Sequence, residues 1–216
     1  MSLFWTLTFI LPALLKSGYS LSCKHCFNNT GNYCSGPELP CDSKEEVCVS
    51  SYTKTSVGGM EISNIFLQQC DNRALCAQSA SISFPDGRER TSYTCCLKDG
   101  CTPPVPTFPV DKTEENGVSC VSCIAVNDKM CTSKELMKCI GNENKCITQA
   151  TFISEPVSST TVVRGCATPN SCVGDTTEKV VGTLRTKIDI SCTDGSISPH
   201  YNLLLLIFSI LNFFLN

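Results

Sequence analysis

The chain has 216 residues, 18 of them cysteine, with a formal net charge of −3 and 17% charged residues. A composition this close to charge balance, without a basic cluster, excludes nucleic acid as an expected partner. About one residue in twelve is cysteine, a density typical of small extracellular domains that rely on disulfides.

The N-terminal residues have the layout of a secretory signal peptide. An apolar run from Leu3 to Leu15 is followed by a short polar stretch in which Gly18 and Ser20 are the small residues that signal peptidase requires. We therefore predict a signal peptide at residues 1–20 and a mature chain that begins at Leu21. Secretion places the cysteines in an oxidising environment, which favours disulfides over zinc ligation.

The cysteines form two blocks with nearly the same spacing. Successive intervals are 3, 8, 7, 7, 22, 6 and 19 residues from Cys23 to Cys95, and 3, 8, 8, 7, 20, 6 and 20 residues from Cys120 to Cys192. This internal repeat predicts two copies of one domain, at residues 21–101 and 118–194. The second copy lacks the last pair of the first, so both copies keep an even number of cysteines.

The segment between the two blocks, residues 102–117, contains four prolines and then a polar run. It is predicted to be a partly extended linker.

Within each block, the long intervals between cysteines have strand-turn-strand patterns. β-prone runs flank a turn at residues 81–84 and 90–94, and again at 147–154 and 160–163. The one helical signal is weak and predicts a single turn at residues 133–138. These patterns predict an all-β, disulfide-rich fold in which hairpins extend from a cysteine-rich base.

The C-terminal end is apolar over the 13 residues 203–215, which as a helix would reach about 20 Å across a hydrocarbon core of about 30 Å. It follows a polar spacer and the small residues around Asp194, the arrangement of a glycosylphosphatidylinositol (GPI) attachment signal. We predict attachment at Asp194, with Ser196 as the alternative, and removal of residues 195–216. A short or tilted membrane helix is the competing interpretation.

The chain resembles the urokinase-receptor/Ly-6 domain family in its opening Leu21-Ser-Cys-Lys-His-Cys26, its cysteine spacing and its closing Cys95-Cys-Leu-Lys-Asp-Gly-Cys101. The resemblance covers nearly all of the mature chain and departs from the family at Thr102, where an asparagine is usual. It implies two tandem three-finger domains, the fold of snake toxins. It also implies nine disulfides: Cys23–Cys48, Cys26–Cys34, Cys41–Cys70, Cys76–Cys95, Cys96–Cys101, Cys120–Cys146, Cys123–Cys131, Cys139–Cys166 and Cys172–Cys192.

No catalytic set is recognisable in the mature chain. His25 is its only histidine, so neither a Ser-His-Asp nor a Cys-His arrangement can be assembled. No metal site and no cofactor are expected, and the chain is predicted not to be an enzyme. Asn28 begins an Asn-Asn-Thr sequon and is the predicted N-glycosylation site.

The function predicted from these features is a cell-surface binding, receptor or adhesion protein, GPI-anchored on the extracellular face of the plasma membrane. Its finger loops would contact an extracellular protein ligand. Apolar and cationic residues near the fingers are the candidate contacts, although strand alternation also allows some of them to fill the core: Met60, Ile62, Phe66, Arg88, Arg90 and Phe152.

A soluble protein is the alternative, either shed from the membrane or secreted. Two-domain chains whose second domain lacks the last cysteine pair resemble the gamma-type inhibitors of secreted phospholipases. The apolar C-terminal segment discriminates between the two hypotheses, because a circulating inhibitor does not need it.

Overall fold

The computed structural model describes residues 21–155, 157–173, 176–181 and 184–197. The predicted signal peptide and the apolar C-terminal segment lie outside these residues. The regular secondary structure of the described chain is β-strand, apart from short 3-10 turns at Arg73–Leu75 and Pro169–Cys172. No helix in this part of the chain has the length and apolar character needed to cross a membrane.

The first domain contains seven strands: β1 Ser22–Lys24, β2 Cys26–Asn28, β3 Glu38–Pro40, β4 Glu46–Val57, β5 Met60–Asn72, β6 Ser79–Phe84 and β7 Gly87–Cys96. The second contains eight: β8 Glu115–Val121, β9 Cys123–Val126, β10 Leu136–Ile140, β11 Lys145–Glu155, β12 Ser159–Ala167, β13 Thr176–Val181, β14 Leu184–Asp194 and β15 Ser196–Ile197. The helical turn expected at residues 133–138 is wrong, because β10 begins at Leu136 and pairs with β8.

Antiparallel hairpins form the fingers of both domains, which are tandem three-finger folds. In the first domain β4 pairs with β5 and with β7, and β6 pairs with β7. The β4–β5 turn contains Gly58 and Gly59 with φ of +59° and +78°, the left-handed conformations that a tight two-residue hairpin turn requires. In the second domain β11 pairs with β12 and β14, and β13 pairs with β14.

The two domains share one ten-stranded sheet. Its order is β13-β14-β11-β12-β6-β7-β4-β5-β2, with β9 also paired to β12. The domains join where β12 pairs with β6, at Cys166 opposite Ser83 and Ala167 opposite Ile82. A Cβ on Gly165 would lie 1.9 Å from the Ser83 carbonyl oxygen, so this close approach requires glycine.

Nine disulfides join all eighteen cysteines, and none of these cysteines is free. They have the same partners as the family resemblance implies. The bridges pack against one another at the base of each domain, where Cys23, Cys41 and Cys48 form one buried cluster and Cys120, Cys139 and Cys166 form another. Sulfur therefore supplies much of the core in both domains.

An apolar cluster crosses the domain junction. Ile82 and Phe84 of β6 pack with Ile147 of β11 and Ala167 of β12, and all four side chains are at most 7% exposed. The cluster lies beside the β6–β12 pairing, so burial of apolar surface and backbone hydrogen bonds hold the junction together.

A buried ion pair also connects the domains. Glu143 is fully buried, and its Oε1 atom lies 3.0 Å from Arg88 Nη2 and accepts a hydrogen bond from Ser81 Oγ at 2.7 Å. Arg88 also contacts Asp111 of the linker at 3.0 Å. The guanidinium group of Arg88, in the first domain, therefore contacts both the linker and the second domain.

We expect Arg88→Met to destabilise the oxidised mature chain by about 3 to 5 kcal/mol, because it leaves the buried Glu143 carboxylate without its cation. The double substitution Arg88→Met with Glu143→Gln removes that unpaired charge and should be less destabilised than Arg88→Met alone. Denaturant unfolding of the two variants measures the difference. A double variant that is less stable than the single one would contradict this account of the junction.

Candidate ligand-binding surface

A cavity of about 420 Å³ lies between the two domains. The first domain lines it with strands β4 to β7 and the 3-10 turn at Arg73–Leu75, and the second with β11, β13, β14 and the turn at Pro169–Cys172. Its apolar lining includes Ile65, Leu67, Ile82, Ile188 and Ile190. The volume is within the range of about 300 to 1,000 Å³ that is usual for ligand pockets.

Strand alternation determines which side chains face the cavity. In β4, Ser51 and Thr53 line the cavity, and Tyr52 between them packs on the opposite face against Phe108 of the linker. In β7, Thr91 is on the cavity face, and its hydroxyl shares a hydrogen bond of 2.9 Å with that of Thr53. Successive side chains of a strand point to opposite faces, so one sheet carries two different surfaces.

The charged residues that line the cavity are acidic. They are Asp71 of β5 and Glu89 of β7, and no Lys, Arg or His whose side chain the structure describes lines the cavity. Glu89 accepts a hydrogen bond from the Thr55 hydroxyl at 3.5 Å. It takes part in none of the ion pairs found within the described residues.

Burial shifts the titration of two groups in the cavity. It raises the pKa of Glu89, and the Thr55 hydrogen bond offsets part of this shift. Burial also raises the pKa of Tyr93 to about 12, with the negative charges of Asp71 and Glu89 adding to the effect. Glu89 therefore carries a carboxylate whose charged form is disfavoured by its surroundings.

The opposite face of the first-domain sheet is covered by the linker. The hydroxyls of Ser50, Ser92 and Thr94 donate to the carbonyl oxygens of Pro103, Thr107 and Pro104. The Phe108 ring lies 5.6 Å from Tyr52 between ring centroids. The segment predicted as a linker packs against the first domain between Pro103 and Asp111, and its last residues belong to β8, which begins at Glu115.

This arrangement corrects the expectation for Arg88 and Arg90. Arg90 Nη1 lies 2.6 Å from Asp111 Oδ2, and its Cζ lies 4.9 Å from the centroid of Phe108. Arg88 is bound to Glu143 and Asp111. Both cations hold the linker and the domain junction and are not free to contact a ligand.

Phe66 is also corrected, because its side chain is 2% exposed and packs with the Cys26–Cys34 disulfide and Tyr52. Met60 and Ile62 are 70% and 61% exposed at the end of the β4–β5 finger. The register shifts beside Ile62, since Thr55 pairs with Ser63 and Ser56 with Glu61. Such a bulge re-aims a side chain and leaves Ile62 open to contact.

Phe152, the candidate contact in the second domain, is partly buried in β11. The ammonium group of Lys187 lies 5.9 Å from the centroid of its ring. Val157 at the end of the same finger is 73% exposed, and this apolar tip was missed because it stands in a run of turn residues.

His25 has a structural contact in the first domain. Its Nε2 atom accepts a hydrogen bond from the Cys70 backbone N–H at 3.4 Å, and burial lowers its pKa despite the nearby carboxylates of Glu46 and Asp42. A neutral imidazole bound to the backbone supports the strand arrangement around the Cys41–Cys70 disulfide.

Two of the predicted modification sites differ in exposure, since Asn28 is partly buried in β2 and Asp194 is exposed. The Asn28 side chain accepts hydrogen bonds from Thr30 N and Thr30 Oγ1 at 2.8 and 2.9 Å, so the sequon forms a local turn. Asp194 ends β14 with its side chain 87% exposed, and Lys145 pairs with it and lowers its pKa. The alternative site, Ser196, lies in β15.

The u-PAR/Ly-6 domain model matches the chain twice, at residues 19–104 and 116–199. Phospholipase A2 inhibitor NAI of Notechis ater is 26% identical over 166 residues, which cover 76% of this chain and 82% of the inhibitor. A phospholipase A2 inhibitor of the gamma type from Laticauda semifasciata is 28% identical over 160 residues, 70% and 84% of the two chains. The urokinase plasminogen activator surface receptor of Aotus trivirgatus is 28% identical over 159 residues, 71% of this chain and 46% of the receptor.

The shifted Glu89 carboxylate gives a pH-dependent prediction. The pKa of Glu89 is higher in the folded than in the unfolded chain. Its stabilising contribution to the free energy of unfolding is therefore complete at pH values below the ordinary pKa of 4.5, and it is lost as the pH rises through the pKa of the folded state. We expect Glu89→Gln to raise the unfolding temperature at pH 7 and to leave it unchanged at pH 4. Calorimetry at the two pH values measures this.

The matched control is Glu61→Gln. Hydrogen bonds from Lys54 and then Asn64 lower the pKa of the exposed Glu61, so its removal should give no increase in stability at pH 7. If Glu89→Gln were neutral or destabilising at pH 7, the surroundings of Glu89 would not destabilise its charged form.

Proposed function

The chain belongs to the u-PAR/Ly-6 domain family, and we propose that it is a cell-surface protein with a GPI anchor that binds an extracellular protein ligand through its fingers and the interdomain cavity. The observation that carries this proposal is the cavity, which is lined by both domains and is accompanied by an exposed apolar finger tip at Met60 and Ile62. An apolar surface with a few polar groups is typical of a recognition site. The chain acts by binding, and we propose no catalytic activity for it.

The composition of the C-terminal segment supports the proposed membrane attachment. The apolar residues 203–215 follow small residues and a polar spacer, as in a GPI signal. Attachment at Asp194 would place the anchor directly after the last long strand, β14. Attachment at Ser196 would retain one further residue pair of the sheet formed by β15 and β8.

Treatment of expressing cells with phosphatidylinositol-specific phospholipase C should release the protein into the medium, because only the lipid of the anchor would hold it. Surface staining and immunoblotting of the medium measure the release, and mass spectrometry of the C-terminal peptide distinguishes Asp194 from Ser196. A protein that remains on treated cells, beside a known GPI-anchored protein that is released, would contradict the anchor.

The finger tip gives a test of ligand recognition. We expect the double substitution Met60→Glu with Ile62→Glu to reduce binding of the soluble protein to its cellular partner at least tenfold, because charged groups would replace exposed apolar contacts. Binding of labelled protein to native tissue, with competition by unlabelled wild type, measures the loss. Val110→Glu is the control, since Val110 is 93% exposed on the linker and should bind normally. Equal binding by the tip variant would remove this finger from the proposed site.

A second candidate function is inhibition of a secreted phospholipase A2. It is favoured by the two relatives named phospholipase A2 inhibitors, which align with more than four fifths of their own length. Addition of the purified protein to a secreted phospholipase A2 discriminates the two proposals. Stoichiometric inhibition would support the second, whereas full enzyme activity at a molar excess would exclude it for that enzyme.

A further inference from the structure

The cavity presents an acid, Glu89, that forms no ion pair with any cation whose side chain the structure describes. Glu89 lies between Arg88 and Arg90 in β7, but strand alternation directs both arginines to the other face. There they are bound to Glu143, Asp111 and the Pro109 carbonyl oxygen. The nearest cations in sequence are thus committed to the linker and the domain junction.

The surroundings of Glu89 make a charged partner favourable. Apolar residues of both domains, including Ile82 and Ile188, line the same cavity, and the Thr55 hydroxyl at 3.5 Å is a weak and neutral donor. A cation brought to this carboxylate would form a charge-assisted hydrogen bond in a partly desolvated site, where such bonds are stronger than in water.

We propose that the protein ligand inserts a Lys or Arg side chain, flanked by apolar residues, into the interdomain cavity, where it pairs with Glu89. This inference rests on the proposed function and specifies the chemistry of the partner. The cation would be attracted by the acidic lining of the cavity. The flanking apolar residues would pack against Ile65, Leu67 and Ile190. An anionic group such as a lipid phosphate is disfavoured by the same acidic lining.

Three peptides test the charge requirement: Ac-Ala-Leu-Arg-Leu-Ala-amide and the two versions in which norleucine or Glu replaces Arg. They are titrated into the isotope-labelled, oxidised chain of residues 21–197, which retains every described residue, and amide shifts are followed by NMR. We expect the Arg peptide to shift Thr91, Tyr93 and Ile188 and to bind at least tenfold more tightly than the norleucine peptide. The Glu peptide should bind more weakly still.

The variant Glu89→Gln should reduce the affinity for the Arg peptide about tenfold and leave that for the norleucine peptide unchanged. Since this variant is expected to be more stable at pH 7, weaker binding cannot be attributed to unfolding. Glu135→Gln is the control, because Glu135 is an exposed acid outside both the cavity and the Met60–Ile62 tip, and this variant should bind like wild type.

Equal binding of the Arg and norleucine peptides, or an unchanged affinity in Glu89→Gln, would overturn the proposed pairing and leave a cavity that recognises apolar groups. Absence of shifts at the cavity residues with all three peptides would also overturn it. None of these three results changes the outcome of the phospholipase C test of the anchor or of the binding test at the Met60–Ile62 tip, so those two experiments decide the proposed function separately from the Glu89 pairing.

Discussion

Covalent cross-links between strands are the constraint on which this structure depends. Of the 17 buried hydrophobic residues in the described chain, nine are half-cystines, so little aliphatic core is available to hold either domain. A disulfide stabilises a fold by about 2 to 4 kcal/mol, largely through the unfolded chain, and a domain of about 80 residues is marginal without such help. The disulfides hold the base of the hairpins together. The faces of the long strands are therefore available for packing against the linker and for lining the cavity.

Those faces are used differently on the two sides of the first-domain sheet. One side binds the linker through backbone carbonyl oxygens, Phe108 and Asp111. The other side lines the cavity. The β6–β12 pairing and the Glu143–Arg88 ion pair then bring the second domain against the first. The cavity therefore depends on a linker that is itself part of the packed structure.

The sequence was sufficient for the domain count and the fold class, because cysteine spacing and strand patterns are local properties of the chain. It was not sufficient to predict which side chains are exposed and free to contact a ligand. Phe66 and Ile62 share the parity of one strand face, but a bulge at Ile62 breaks the alternation and the Cys26–Cys34 loop covers Phe66. Arg88 and Arg90 resemble free surface cations until Glu143 and Asp111, far away in sequence, are placed beside them. The cavity was not predictable, since it forms only where two domains meet.

Residues that are distant in sequence also determine the environment of Glu89. A carboxylate whose pKa is raised by burial opposes folding at neutral pH, whereas one oxygen of the buried acid Glu143 is paired with Arg88 at the domain junction. Among the side chains that the structure describes, Glu143 therefore has a cationic partner and Glu89 has only the neutral Thr55 hydroxyl. Glu89 is already desolvated in the free protein. A ligand that supplies a cation therefore does not have to remove water from this carboxylate, which lowers the free-energy cost of binding. A site that is unfavourable when empty can in this way contribute to selectivity for a cationic partner.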